Sequence, residues 1–199
     1  MMVCAKQKIV FVAIPKTATR SIYRFLANEY DGKIQGDHKT IIPSDYKDFF
    51  KFAVVREPYD RLCSAYWHSC WRPDRDRYQF EKRMKERGLP NTFESFLEII
   101  QDPNTRGRHA TTQTSYLANN TFDMLLRFET LSEDFNKLPF LEHPVELDVV
   151  NSTYSKPFKS RKVRPANNDK LLTPRAIELI NKVYRNDFEK LGYEMREPE

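Results

Sequence analysis

The strongest constraint on the fold is a pattern that occurs twice. "KIVFVAI" (Lys8 to Ile14) is apolar at both parities and passes directly into "PKTATRS"; further on, "FKFAVV" (Phe50 to Val55) passes directly into "REPYDRLCSAYW". Apolar residues on both faces of a short run are the mark of a strand covered on both sides, as in a parallel sheet. Each run ends on a cation, Lys16 or Arg56, and each is followed by a helical rhythm: Ile22, Tyr23, Phe25 and Leu26 after the first, Leu62, Ala65, Tyr66 and Ser69 after the second. "TFDMLLRFETL" (Thr121 to Leu131) reads as another strand, ending near Arg127, with a helix from about Ser132. The chain closes on a helix that has Thr173 as N-cap, Pro174 in its first turn and Gly192 as terminator. Strands alternating with helices predict an α/β fold: one domain over residues 1–199, a three-layer parallel sheet with flanking helices.

Several classes of function are excluded by composition. With 40% hydrophobic residues, the 199-residue chain can bury a core. Its 33 basic and 28 acidic residues are interspersed, and the net charge of +5 is too small to suggest nucleic acid; it suits an anionic small molecule or acidic acceptor. The first apolar run is too short for a signal peptide, and no run is long enough to cross a bilayer, which points to a soluble protein with no membrane partner. Cys4, Cys63 and Cys70 are odd in number and lack CxxC spacing, so a reduced, cytoplasmic setting is expected. Cys63, His68 and Cys70 lie close in sequence, but on one helix they point in different directions, and they read as packing residues rather than metal ligands.

The two strand ends carry the chemistry. Open parallel sheets bind ligands beyond the carboxyl ends of their strands, where helix N-termini direct unsatisfied amides outward. The turn of Lys16, Thr17, Ala18, Thr19, Arg20 and Ser21 offers one ammonium, one guanidinium, three hydroxyls and backbone amides to a single anion. A triphosphate-binding GxxxxGK[ST] loop is disfavoured, because no glycine occurs between Gln7 and Asp31. Arg56 brings a planar fork suited to bidentate phosphate binding, and Ser64, about two turns along the next helix, can add a hydroxyl from the same side.

These residues carry a family resemblance. "IPKTATRS" resembles the 5′-phosphosulfate loop of sulfotransferases that use 3′-phosphoadenosine 5′-phosphosulfate (PAPS). "VVREPYDRLCSAYW" resembles their 3′-phosphate motif, with Arg56 and Ser64 at the binding positions. "TFESFLEII", "LLRFETL", "VVNST" and "YRNDFEKLGY" are similar to segments of the carbohydrate (Golgi-type) branch, so the likeness spans nearly the whole chain. Golgi members of that branch carry a membrane anchor and luminal disulfides, and this chain shows neither sign.

The resemblance implies a P-loop-like sulfotransferase fold and transfer of sulfonate from PAPS to a hydroxyl of an acceptor, with carbohydrate favoured. The product is 3′,5′-adenosine bisphosphate (PAP), and no metal is needed. It implies Lys16 as the group that stabilises charge on the leaving oxygen, and His38, in "GDHKT", as the base. His109, in "RGRHATTQTSYL", resembles a substrate-side segment and is the alternative base; Glu57 and Glu129 remain in play. Arg161 and Lys162, in the basic loop after Asn151, occupy the position where the family closes over the nucleotide. Two rival readings are a P-loop-type small-molecule kinase using ATP and magnesium, and a non-catalytic anion- or glycan-binding protein that keeps both loops but lacks a productive base.

Overall fold

Strands form where the chain is apolar on both parities, and the sheet is assembled around them. The computed structural model describes residues 1–36, 41–71, 75–148 and 168–199, without the side chains of 70–79. In chain order the elements are β1 (Met2–Cys4), β2 (Ile9–Val12), α1 (Thr19–Tyr30), β3 (Lys33–Ile34), β4 (Phe50–Val55), α2 (Pro58–Trp71), α3 (Arg75–Glu86), α4 (Phe93–Ile99), α5 (Gly107–Ala110), α6 (Gln113–Leu117), β5 (Met124–Arg127), α7 (Leu131–Phe135) and α8 (Pro174–Leu191).

The strand order is β3-β1-β2-β4-β5, with β2 at the centre. β2, β4 and β5 are parallel, in register at Phe11↔Phe52 and Val54↔Leu126. The sheet is mixed rather than wholly parallel, because β1 runs antiparallel to β2 (Val3↔Val10) and β3 antiparallel to β1. The reason is the length of the connection. Lys8, at φ 54°, closes a tight turn with its N–H on the Ala5 carbonyl, whereas a parallel neighbour needs a crossover of about a dozen residues. Nothing in "MVC" announces a strand by itself.

The chain forms two compact units. The first, Met1–Arg56 and Gln113–Asn151, holds the sheet with α1 and α7. Its core packs Ile9, Phe11 and Ala13 of one parity with Ile22 and Leu26 of α1, Phe52, Leu126 and Phe135; the Phe11 and Phe52 rings stack at 4.9 Å. Val10, Val12 and Ile14, of the opposite parity, are buried as fully, as the unbroken apolar run predicts. Asp31, at φ 50°, takes the left-handed C-cap of α1, and Gly32 follows it. The glycine serves a different need. A Cβ on it would lie 2.9 Å from Leu26 O and from Met2 Sδ.

The second unit, Glu57–Thr112 and Ser152–Glu199, is helical where described. Its core joins Leu62, Tyr66, Phe96, Ile180 and Phe188. The charge-dense stretch after residue 74 is a helix, and it is anchored, since Phe80 and Met84 enter that core. The caps expected for α8 are present, and α4 has one as well. Thr92 Oγ1 accepts from Ser95 N at 3.2 Å, Thr173 Oγ1 accepts from Ala176 N at 3.2 Å, and Gly192 ends α8 at φ 66°.

Candidate functional site

The turn that joins β2 to α1 has an unusual backbone. Lys16 (φ 75°) and Ala18 (φ 60°) both adopt the left-handed conformation, with Thr17 between them. For a residue with a Cβ this costs roughly 1–2 kcal/mol. The reward is shape, because alternating conformations of this kind turn successive amides toward one concavity, which attracts an anion. Ala18 is the N-cap of α1 and has no side chain able to cap it, so the first amides of a 12-residue helix face the same turn.

The hydroxyls divide differently from the sequence expectation. Thr17, fully buried, donates from Oγ1 to the Ile14 carbonyl at 2.9 Å, and Thr19 Oγ1 donates to the same carbonyl at 2.8 Å. Both protons therefore brace the turn. Ser21 is buried at the base of α1, Arg20 is exposed, and Lys16 is half-buried.

Arg56 links the two strand ends. Its Nη1 donates to the Lys16 carbonyl at 2.9 Å, and its guanidinium lies 3.9 Å from the centroid of the Phe128 ring. The fork carries five N–H groups, so a bond to a carbonyl and service to a phosphate are compatible. The backbone of Arg56 is gripped by Gln113, the fully buried first residue of α6: Oε1 accepts from Arg56 N at 2.9 Å and Nε2 donates to Arg56 O at 2.7 Å. Sequence reasoning missed Gln113. A lone glutamine in "TTQTSYL" has no local signature.

The remaining candidates lie in the helical unit. Ser64 is buried on α2, and Arg61, Ser64 and His68 recur at helical spacing on one face of that helix. Arg61 is fully buried; its Nη2 donates to the carbonyls of Thr111 (2.8 Å) and His109 (3.4 Å), while the Tyr184 hydroxyl donates to the Ala110 carbonyl between them. Three consecutive carbonyls of the segment carrying His109 are thus held by side chains of α2 and α8. The His109 ring meets His68 edge to face, with centroids 4.2 Å apart, which gives His68 a neighbour that its sequence position did not suggest.

Glu57 is engaged as a cap. Its carboxylate accepts from the backbone N–H of Tyr59 (3.1 Å) and Asp60 (2.7 Å), and burial raises its pKa. Glu129 is exposed in the turn after β5. His38, Arg161 and Lys162 lie outside the described residues. A groove of about 600 Å³ runs along the flank of α1 in the first unit, but Glu29, Glu142, Glu146 and Asp148 line it, so it is a poor receptacle for a polyanion. Among the described residues, no group of three or more His, Cys, Asp and Glu side chains converges as a metal site would require, and no helix is long and apolar enough to cross a membrane.

An α/β sheet with a charged left-handed turn after its central strand, and an arginine closing the next, defines a class, and comparison with known proteins agrees with it. The chain belongs to the sulfotransferase family, whose pattern it matches over residues 1–194. It is similar to carbohydrate sulfotransferase 10 of Gallus gallus, with 28% identity across a 177-residue alignment that covers 66% of this chain and 49% of that protein. The chain thus spans about half the length of the curated relative it matches. No solved structure matches it significantly.

Proposed function

We propose that this chain is a PAPS-dependent sulfotransferase that acts on a hydroxyl of a carbohydrate, with a single sulfotransferase domain over residues 1–199. The observation that carries the reading is the bond from Arg56 to the Lys16 carbonyl, which ties the two proposed anion loops together. Family membership over 1–194 supports the single domain, and the name of the chicken relative supports the acceptor class.

In this reading the amides of Thr17, Ala18, Thr19 and Arg20, with Ser21, receive the 5′-phosphosulfate. Arg56 and Ser64 hold the 3′-phosphate, aided by Arg161 and Lys162. The transfer forms a bond from sulfur to the acceptor oxygen and breaks the bond from sulfur to the oxygen bridging to phosphate. Charge grows on that bridging oxygen, and Lys16 is the cation assigned to it. The acceptor proton goes to His38, with His109 as the alternative and a contact for the acceptor. Glu57 is a weaker base candidate than either, because its oxygens already receive two amides. No metal has a role in this scheme. We assign the enzyme to the cytoplasm, on the support of Cys4 and Cys63, which are buried as thiols; burial pushes the Cys4 thiol up to about 11.

A thermal-shift comparison followed by a transfer screen tests the reading. PAP at a hundred times its Kd stabilises the folded state by about 2.7 kcal/mol. For a chain of this size that raises Tm by about 5–10 °C. ATP with magnesium should raise it less, and an equal or larger shift would favour the kinase. Incubation with PAPS and a panel of glycans and small alcohols should give a product heavier by one sulfonate. Tight PAP binding with no transfer to any acceptor would favour the binder.

Replacing Arg56 by alanine should weaken PAP binding by roughly 1.5–3 kcal/mol, the range for a hydrogen bond to a charged group, and Ser64→Ala should cost less. Calorimetric titration of the folded variants reads both. An unchanged Kd for Arg56→Ala would remove Arg56 from the 3′-phosphate site.

A further inference from the structure

We infer that Gln113 is a positioning residue for the nucleotide's 3′-phosphate, acting through the backbone of Arg56; the inference rests on the reading of Arg56 given above. The geometry follows from strand alternation. Along β4 the carbonyls of Lys51 and Val55 turn toward β5, where they accept from Asp123 N and Phe128 N, both at 2.8 Å. The N–H and C=O of Arg56, one residue on, therefore face the side of β2. On that side the ladder has already ended, with its last pair at Val12↔Ala53, because the β2 chain has left the sheet to form the Lys16 turn.

Gln113 fills the vacated place in the ladder. Its carboxamide has the same donor and acceptor as a peptide group, and it meets both polar groups of Arg56 as a neighbouring strand would. It is fully buried and reaches across 57 residues of sequence, so no water is needed to complete the pairing. The consequence is that Arg56 is held from backbone to tip: its backbone by Gln113, its guanidinium face by Phe128, and one N–H by the Lys16 carbonyl. Without Gln113, a fork whose value is directional would rest on a strand end that has lost these two backbone bonds.

The test compares two ligands that differ only in the group that Arg56 is assigned to hold: PAP and adenosine 5′-phosphate, which lacks the 3′-phosphate. Gln113→Met, which keeps the size and removes both bonds, should lower the preference for PAP over adenosine 5′-phosphate about tenfold. Affinity for adenosine 5′-phosphate itself should stay near that of the parent. Arg56→Ala should collapse the same preference, and adding Gln113→Met to it should lower it no further. A general loosening of the fold would weaken both ligands together and leave the ratio in place, which overturns the inference. If Arg56→Ala collapses the ratio and a folded Gln113→Met does not, the inference fails while the assignment of Arg56 stands. If Arg56→Ala leaves the ratio unchanged, both fall. Should Gln113→Met not fold, Gln113→Glu serves the same purpose: it keeps the acceptor for Arg56 N–H and sets an oxygen against the Arg56 carbonyl, and an unchanged ratio in it overturns the inference.

Discussion

Lys16→Ala should lower the rate of sulfonate transfer about a hundredfold or more, the scale of losing a group aimed at charge that develops only in the transition state. Its affinity for PAP should change by no more than a few-fold, because PAP has no sulfonate and no bridging oxygen. The fold should tolerate the change. Alanine at φ 75° meets the same backbone penalty as lysine, and the carbonyl that accepts from Arg56 belongs to the backbone and survives the substitution. The measurement is kcat with the acceptor that the parent uses, set beside the Kd for PAP. Parallel losses in both would reduce Lys16 to a binding residue, and full turnover would take it out of the site.

The other large effect concerns stability. Arg61→Ala should destabilise the fold by about 3 kcal/mol, since two carbonyls lose a charged donor and each orphaned acceptor costs about 1–3 kcal/mol. The stem of a fully buried arginine also leaves a gap. Arg61→Lys should recover only part of this, because a single ammonium cannot reproduce a fork that spans the carbonyls of His109 and Thr111. Urea denaturation reads the loss, and amide exchange should show residues 107–111 opening first. A variant as stable as the parent would mean that the Tyr184 bond to Ala110 holds the segment without Arg61.

The two effects fall on elements that are held in different ways. The anion turn depends on short-range geometry: two left-handed residues, a helix start without a side-chain cap, and hydroxyls returned to Ile14 five or fewer residues away. The segment carrying His109 has only a four-residue helix of its own, so its placement depends on donors from α2 and α8. Removing a distant donor can therefore disturb a candidate substrate contact without touching it.

The sequence by itself determined what local rules control. Unbroken apolar runs marked β2 and β4; their terminal cations, with no glycine between Gln7 and Asp31, separated this turn from a triphosphate loop; Thr173 and Gly192 marked helix ends, and each of these is a matter of neighbours within a turn or two. Tertiary structure alone decided the antiparallel return of β1, the grip of Gln113 on Arg56, the bond from Arg56 to Lys16 forty residues back, and the meeting of His68 with His109. The last three join positions forty or more residues apart through one or two hydrogen bonds or a ring edge. Such pairings leave no periodicity and no bias in composition, because the energy that selects them exists only after the sheet and helices have packed.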